Sequence, residues 1–526
     1  MKESLILIAL LLVSTILFGC AGKQANPSLA SSDISDISNT EQSSSSTTDS
    51  NESTPVGSEV SNSSSSVSDN SSSTSSTPSA NGTFTFPKLV SDNMVLQRNE
   101  KVRVWGEFTS DGTVTVTFRG KKFTGNCKKG KFEVMVDTGN AGGPYDMTLS
   151  CNGVTKELKN ILVGDVYICS GQSNIIFWIG MLKDKTLLNT PVPDNIRLFH
   201  VWTNPSKEAL DDCAGQNDKW VQVSTMGTEQ YYHFSVVGYL FAREIYNQTG
   251  VPVGIIQSAE SGTLAASWLP ASDAILVNPI NQKNDPEQRL IASRMYNGMI
   301  YPLRKYTVRG VLWYQGGGDM GNTTYDETLS TLVSSWRRVF KNNDMTFTII
   351  QEIRYGHDNR FDLRELQKKA AITNENCTYS VNIDCGEFDD RHPQDKEPVA
   401  VRAAHATLRD FYGMTQFKKN PVYKSHQVSG STVKVTLSNV DKGLFFQTEK
   451  TPGGKDWTTV TNGTGFEIKD ASGKYYPATA TLEGNTLVLT SSVAQPKGIR
   501  YAYGNFPEVS LFDKNGLPAE QFAINF

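Results

Sequence analysis

Residues 161–174 read ILVGDVYICSGQSN and decide the fold of this chain. Residues 161–169 are apolar enough to form a buried strand, and Gly171 allows a tight turn out of that strand. A serine on this turn, Ser173, would present its hydroxyl to a pocket at the end of the strand. Serine is a poor nucleophile unless a neighbouring base takes its proton, so this interpretation requires a histidine elsewhere in the chain. The alternative is an ordinary serine in a loop.

The chain around this stretch alternates between predicted strands and predicted helices, from about residue 160 to residue 420. Strands are predicted at 251–257, 308–314, 347–350 and 379–383, and helices at 234–247, 325–340, 363–371 and 397–412. This alternation is typical of a parallel sheet with helices on both faces, so we predict an α/β fold with a doubly wound parallel sheet. Residues 83–159 and 421–526 instead predict β-sandwich-like units, because short strands alternate there with glycine-containing turns.

Four loops follow predicted strands in the central part, and each carries polar residues or glycines. They comprise residues 171–174, 257–263, 315–319 and 389–393. In open parallel sheets, ligands bind beyond the carboxyl ends of the strands. We therefore expect the four loops to meet at one edge of the sheet and to form the functional site.

These loops contain the groups that acyl transfer requires: a serine, a base, and donors to the oxygen that becomes negative. His392 is the candidate base, and Asp389, three residues earlier, can fold back and fix the tautomer of its ring. Asp390 is the second carboxylate in the same loop. Gly262 can bring a backbone N–H close to the reacting oxygen, and Gln315 can add a side-chain amide. The pattern predicts a serine hydrolase that uses no cofactor and no metal.

The same loops resemble those of the SGNH-type hydrolases, and in particular the sialate O-acetylesterase-like carbohydrate esterases. The similarity extends over nearly all of the chain after residue 82 and includes residues 91–98, 164–174, 251–254, 296–300, 310–316 and 516–519. The resemblance implies a three-layer, flavodoxin-like catalytic domain. It also implies that Ser173 is the nucleophile, with His392 as its base and Asp389 as the partner of that base. Gly262 and Gln315 would form the oxyanion hole.

Two of the loops differ from the usual sequence of that family. Residues 315–319 read QGGGD, whereas members usually have QGESN, so an acidic side chain is missing at position 317. Residues 260–262 read ESG, where a pair of glycines is common. These differences would change the shape or the charge of the pocket.

Four further residues are candidates for contact with the substrate: Asn174, Asp319, Trp268 and Arg391. Trp268 follows the second loop and would serve as a flat platform for a sugar ring. Arg391, together with Arg354, would supply a cation for a sugar carboxylate such as that of sialic acid. Surface or structural roles are the alternatives for these side chains.

The N-terminus predicts export and lipidation. Residues 5–18 form an apolar run that is too short to span a membrane and is typical of a signal peptide, here residues 1–20. Residues 17–20 read LFGC and resemble a bacterial lipobox, in which Cys20 becomes the lipidated N-terminus. A plain secretory signal is the alternative. Residues 21–82 are rich in serine and threonine and predict a disordered tether, so we expect a protein held by lipid on the outer face of a bacterial membrane.

The composition excludes some partners. The formal net charge of −4 and the isoelectric point near 6.0 lack the basic bias of a nucleic-acid-binding protein. The cysteines after Cys20 form no CxxC pair of the kind found in zinc or thioredoxin-type sites. Cys127 and Cys151 can either form a disulfide in an oxidising compartment or stay as free buried thiols.

Together these features predict a carbohydrate O-acetylesterase that acts through an acetyl-enzyme intermediate. Its substrate would be an O-acetylated sialic acid or an acetylated hemicellulose, with a slight preference for a broad carbohydrate esterase. The alternative from another class is a cell-surface glycan-binding lipoprotein that has lost catalysis, which the altered residues 317–319 would suit.

Overall fold

The computed structural model of the protein describes residues 82–229, 231–277 and 288–526. The predicted signal peptide (1–20) with Cys20 and residues 21–81 of the predicted tether lie outside the described residues. In the described ranges, no helix is both long enough and apolar enough to cross a membrane.

The strands are numbered here in chain order. The N-terminal part contains Phe84–Thr85 (β1), Val95–Gln97 (β2), Lys101–Phe108 (β3), Gly112–Phe118 (β4), Lys121–Cys127 (β5), Lys131–Asp137 (β6) and Gly142–Cys151 (β7). The central part contains Val154–Gly171 (β8), Ile196–His200 (β9), Trp220–Val221 (β10), Val253–Gln257 (β11), Gly310–Tyr314 (β12), Thr346–Ile350 (β13) and Cys377–Ser380 (β14). The C-terminal part contains Val422–Ser429 (β15), Thr432–Ser438 (β16), Leu444–Glu449 (β17), Trp457–Val460 (β18), Gly463–Lys469 (β19), Tyr475–Glu483 (β20), Thr486–Thr490 (β21), Gly498–Tyr501 (β22), Leu511–Asp513 (β23) and Phe522–Asn525 (β24).

Among the described residues, the α-helices all lie in the central part. They are Ser173–Ile176 (α1), Val236–Thr249 (α2), Ala271–Ala274 (α3), Tyr325–Phe340 (α4), Phe361–Thr373 (α5) and Glu397–Phe411 (α6). The four helices predicted from the sequence are α2, α4, α5 and α6, and each is confirmed to within two residues at either end. Local signals explain the ends of α2: the Ser235 side chain accepts a hydrogen bond from the N–H of Gly238 at 2.8 Å, and Gly250 ends the helix with a left-handed φ of 65°.

The centre of the fold is a sheet with the strand order β10-β9-β11-β8-β12-β13-β14. All neighbours from β9 to β14 pair in parallel, and only β10 is antiparallel, at the edge. Side chains of β8 alternate between two cores, as expected for a strand with both faces buried. Val166 and Ile168 belong to the core that contains Trp336 of α4, whereas Tyr167 and Cys169 belong to the core that contains α2 and α6. Helices therefore cover both faces of the central sheet.

The flanking parts are rich in β-strands, as predicted. β8 is 18 residues long, and its first half pairs with β7 of the N-terminal part. The boundary predicted at residues 159/160 therefore falls inside this strand. After residue 420, the chain forms a seven-stranded sheet, β15-β16-β21-β20-β19-β22-β24, and a three-stranded sheet, β18-β17-β23. The protein thus has a mixed α/β fold, with a large mixed sheet and β-rich units on either side.

The topology brings the predicted loops to one edge. β8, β11 and β12 are parallel neighbours, so the loops that follow Gly171, Gln257 and Tyr314 leave the sheet side by side. The fourth loop, 389–393, follows β14 and returns to the same edge through His392, as described below. All six described cysteines are free thiols, and Cys127 and Cys151 are both buried.

Candidate active site

Ser173 occupies the first position after a sharp turn at the end of β8. Gly171 has a φ of +136°, and a Cβ at this position would lie 2.1 Å from the carbonyl oxygen of Tyr314 on β12. A glycine is therefore required for the turn. The chain then enters the short helix α1, which places Ser173 half-buried at the carboxyl edge of the sheet.

His392 meets this serine from a distant part of the chain. Its Nε2 lies 2.7 Å from the Oγ of Ser173, although 219 positions separate the two residues. This distance is that of a direct hydrogen bond between a nucleophile and its base. The structure therefore brings together the two residues on which the predicted chemistry depends.

The contact predicted between Asp389 and His392 is not formed in the described structure. Asp389 instead lies 3.1 Å from the Nε2 of His357, and its side chain is 84% exposed. The reason is a local turn: the carboxylate of Asp390 accepts a hydrogen bond from the backbone N–H of His392 at 2.7 Å. Such an i to i+2 bond folds the loop at Asp390, and it leaves Asp389 outside the turn.

The environment of His392 keeps its ring neutral. Burial lowers the pKa of His392 below its usual range, and the nearby ammonium group of Lys396 lowers it further. The carboxylate of Asp390 acts in the opposite direction and raises this pKa. A base that stays unprotonated near neutral pH is what proton abstraction from a serine requires.

Asn174 connects the serine helix to the histidine loop. Its Nδ2 donates to the backbone oxygen of Arg391 at 3.1 Å, and its Oδ1 accepts from the Nζ of Lys396 at 2.6 Å. Asn174 is only 3% exposed, and Lys396 is only 2% exposed. Asn174 was predicted to contact the substrate, but both ends of its amide hold the site together.

Gln315 and Asp319 are buried behind the site. The Nε2 of Gln315 donates to the backbone oxygen of Thr263 at 3.1 Å and to the carboxylate of Asp319 at 2.6 Å. Its Oε1 accepts from the hydroxyl of Tyr325. Since both amide hydrogens are engaged, the predicted role of Gln315 as an oxyanion donor does not fit, and Asp319 is too deeply buried to contact a sugar. Both side chains instead fix the loop that contains Thr263.

Gly262 lies on the surface of the second loop with a φ of +69°. The loop is tied to the end of β8, because the N–H of Glu260 donates to the carbonyl oxygen of Gly171 at 3.2 Å. In the described part of the chain, neither the N–H of Gly262 nor the N–H of Ser173 donates to a protein acceptor. Both backbone donors are therefore available to a ligand.

Two predicted sugar contacts are corrected by their burial. Trp268 is fully buried, where its indole N–H donates to the hydroxyl of Thr263 at 2.9 Å, so it cannot serve as a platform. Arg354 is 2% exposed and pairs with Glu449. Arg391, in contrast, is exposed, and its guanidinium group lies 5.4 Å from the centre of the Tyr355 ring.

The histidines other than His392 do not join the site as a group. His200, His233, His357, His405 and His426 each pack against an aromatic side chain. In the ranges that the structure describes, no three side chains of His, Cys, Asp or Glu are arranged to hold a metal ion.

Comparison with known proteins finds similarity to carbohydrate esterases. Residues 163–401 match the family model described as carbohydrate esterase, sialic acid-specific acetylesterase. The predicted resemblance to the sialate O-acetylesterase-like carbohydrate esterases is confirmed. The match includes Ser173 and His392, and it ends within α6.

Individual relatives support the same family. The sialate O-acetylesterase of Pongo abelii is 30% identical over 284 residues, and the match spans 50% of this chain but only about half, 54%, of that relative. The sialate O-acetylesterase of Mus musculus is 26% identical over 508 residues, which cover 82% of this chain and 91% of that protein. The crystal structure of a carbohydrate acetylesterase from Xanthomonas citri has a TM-score of 0.74 and 28% identity, over 84% of this chain and 100% of that one.

The loop at 315–319, which differs from the usual sequence of this esterase family, is closely packed. A Cβ at Gly318 would lie 2.6 Å from the carbonyl oxygen of Thr263, so this packing leaves no room for a side chain. The N–H of Gly318 donates to the Oε1 of Gln172 at 3.1 Å, and the N–H of Gly317 donates to the carboxylate of Glu352 at 3.2 Å. Position 317 lacks an acidic side chain, but Glu352 brings one beside it.

Sequence reasoning missed three buried polar residues of this candidate site: Gln172, Glu352 and Lys396. Each holds a loop that carries or adjoins a predicted catalytic group. The available signal was position, since Gln172 precedes Ser173 and Lys396 lies four residues after His392. A lysine between Asp395 and Glu397 resembles a charged surface stretch and gives no sign that it is buried, so only the folded structure identifies its role.

Proposed function

We propose that this protein is a carbohydrate O-acetylesterase that releases acetate from O-acetylated sugars. The hydrogen-bonding contact of 2.7 Å between Ser173 and His392, at the carboxyl edge of the central sheet, carries this proposal. The match of residues 163–401 to a carbohydrate esterase family supports it. The contact also argues against the alternative of a glycan-binding protein that has lost catalysis.

The reaction has two halves. The Oγ of Ser173 attacks the acetyl carbonyl carbon while His392 takes the hydroxyl proton. The tetrahedral intermediate then collapses: the ester bond to the sugar breaks, and His392 gives its proton to the departing sugar oxygen. In the second half, His392 takes a proton from a water molecule, and the water oxygen attacks the carbonyl carbon of the acetyl-serine. The bond to the Oγ of Ser173 then breaks, His392 returns the proton to this oxygen, and acetate leaves.

The negative oxygen of each tetrahedral intermediate needs hydrogen-bond donors. We propose that the backbone N–H groups of Ser173 and Gly262 supply them. Removal of one such donor typically slows an enzyme by about 100- to 1000-fold. Gln315, predicted as a third donor, acts in this account through its bond to Thr263, next to Gly262, and so positions the loop.

We also propose that the central domain has the doubly wound, three-layer arrangement of the SGNH hydrolases. Six parallel strands, with α2 and α6 on one face and α4 on the other, support this assignment. The predicted lipid anchor at Cys20 is likewise a proposal from the sequence, and it would hold the esterase on the outer face of a bacterial membrane.

We propose that Asp390, and not Asp389, is the carboxylate that acts on His392. Asp390→Asn is expected to lower kcat/KM by at least about tenfold, because it removes the charge that favours protonation of His392 in the transition state. Asp389→Asn is expected to change kcat/KM by less than about threefold, because that side chain is largely exposed. Both variants replace an aspartate with an asparagine, at adjacent positions, so each is the control for the other. The reverse order of effects would restore the role predicted for Asp389.

Lys396 gives a prediction about stability. Burial lowers the pKa of Lys396 from 10.5 to about 7 in the folded protein, so the unfolded chain binds more protons between these two values. The cost of this lysine is therefore fully present below pH 7 and disappears as the pH rises towards 10.5. The free energy of unfolding of Lys396→Met, measured in urea, should exceed that of the wild type most at low pH. The interval from about pH 6 to about pH 10 covers most of the range between the two pKa values of Lys396. A difference that stays constant over this interval would contradict the assignment.

The substrate class follows from the exposed groups. Since Asn174, Asp319, Trp268 and Arg354 are buried, Arg391 alone among the five predicted substrate contacts is exposed. A single exposed arginine stacked on Tyr355 is weak support for strict recognition of a sugar carboxylate. We therefore propose a broad carbohydrate O-acetylesterase, active on both acidic and neutral acetylated sugars.

The test is acetate release from O-acetylated mucin sialate and from acetylated xylan at equal ester concentrations. We expect release from both, and a decrease of less than about threefold in Arg391→Ala on either substrate. Strong preference for the sialate that disappears in Arg391→Ala would contradict the broad specificity. Glycan binding without release of acetate from any ester would favour the glycan-binding alternative.

A further inference from the structure

Four aromatic side chains form a partly exposed surface beside the serine helix: Trp178, Trp202, Tyr232 and His233. We call this group the aromatic surface. Trp202 is 38% exposed and Tyr232 is 41% exposed, which is unusual for rings of this size. His233 lies between the others, with ring centres 4.6 Å from Trp178, 5.5 Å from Tyr232 and 5.9 Å from Trp202. The rings therefore form one continuous patch.

The backbone holds this patch at the edge of the sheet where Ser173 lies. Residues 177–181 follow α1 directly and pair with residues 232–236, through bonds such as Ile179 N–H to Phe234 oxygen at 3.0 Å. The hydroxyl of Tyr232 donates to the oxygen of Gly180 at 3.2 Å. Trp202 lies two residues beyond the carboxyl end of β9. Hydrogen-bonded backbone segments therefore connect the aromatic surface to the helix that begins with Ser173.

The chemistry of the patch suits an uncharged ligand with flat apolar faces and a polar rim. Burial lowers the pKa of His200, which packs on Trp202 at 4.5 Å, to about 4, so this ring is neutral at physiological pH. The candidate cation Arg391 lies elsewhere, on Tyr355. Tryptophan and tyrosine rings offer large rigid surfaces with a hydrogen-bonding edge, and exposed patches of them beside a catalytic group mark ligand-binding grooves.

We propose that the aromatic surface binds neutral sugar units of an oligosaccharide chain, next to the unit whose acetyl group is removed at Ser173. The C–H faces of a pyranose ring would stack on Trp202 and Tyr232, and its hydroxyl groups would face solvent. This inference rests on the proposed function only in one respect, namely that the acetylated unit lies at Ser173. The binding of neutral sugars to the surface can be measured without any ester.

The first experiment measures the binding of xylohexaose, which carries no acetyl group, to residues 1–526 by isothermal titration calorimetry. Trp202→Ala and Tyr232→Ala should each weaken binding by about tenfold. Met135→Ala, an equally exposed apolar side chain on β6, should bind as the wild type does. Absence of binding to the wild type, or unchanged binding in both aromatic variants, would overturn the proposal.

Conservative variants separate recognition from folding. Trp202→Phe and Tyr232→Phe keep a flat ring, so they should recover most of the affinity that the alanine variants lose. If they do not, ring stacking is not the basis of binding and the proposal is wrong. Hydrolysis of p-nitrophenyl acetate, which carries no sugar chain, should stay unchanged in the Met135→Ala control, whose side chain lies outside the site. If no ester is hydrolysed while xylohexaose still binds through these rings, the proposed function fails and this inference stands.

Discussion

Ser173→Ala is expected to lower the rate of acetate release by at least about 10⁴-fold, because it removes the oxygen that attacks the ester carbonyl. Residual activity would come from the backbone donors and from substrate binding alone. The measurement is kcat/KM with p-nitrophenyl acetate and with acetylated xylan.

The chain offers a matched control for this variant. Ser170 lies three residues earlier on β8, is fully buried, and its hydroxyl has no hydrogen-bond partner in the described structure. Ser170→Ala should therefore keep both fold and activity. Activity that survives in Ser173→Ala, or that falls equally in the two variants, would remove Ser173 as the nucleophile.

His392→Ala is expected to reduce kcat/KM by about 10³- to 10⁴-fold, since no other group lies within hydrogen-bond distance of the Oγ of Ser173 in the described ranges. Added imidazole should restore part of the rate. His405→Ala is the matched control, because His405 lies on α6 and pairs with Glu244 away from the serine.

The pH dependence of the wild-type enzyme tests the same assignment. His392 must be neutral to take the serine proton, so kcat/KM should fall as the pH drops through the pKa of His392. Burial lowers this pKa below the usual 6.5, so the midpoint should lie on the acid side of that value. A midpoint above 6.5 would contradict the assignment, and so would a kcat/KM that stays constant between about pH 4 and about pH 8.

Much of the fold could be predicted because periodicity encodes it. The apolar stripe of α4 and the buried strand before Ser173 are visible in the sequence, and parallel strands direct their following loops to one edge. That rule was enough to predict that Ser173 and His392 lie close together, although 219 positions separate them in the chain. The long strand β8 was not foreseen as a link between two units, since its polar first half resembles a surface strand.

The individual contacts inside the site could not be predicted in this way. Whether Asp389 or Asp390 turns towards His392 depends on one hydrogen bond within a loop. Gln315 is buried because Tyr325 and Asp319, which follow it in the chain, fold back on its amide. Trp268 is buried for a similar reason, since α4 covers it. Such choices depend on packing between distant segments, which leaves no periodic pattern in the sequence.

The central claim is that His392 activates Ser173 for attack on an acyl group. The most direct test is to label the active protein with a fluorophosphonate, which reacts with activated serines, and to map the labelled peptide by mass spectrometry. We expect a single labelled residue, Ser173, and no labelling in His392→Ala. Labelling of another residue in a preparation that releases acetate, or full labelling of Ser173 without His392, would contradict it.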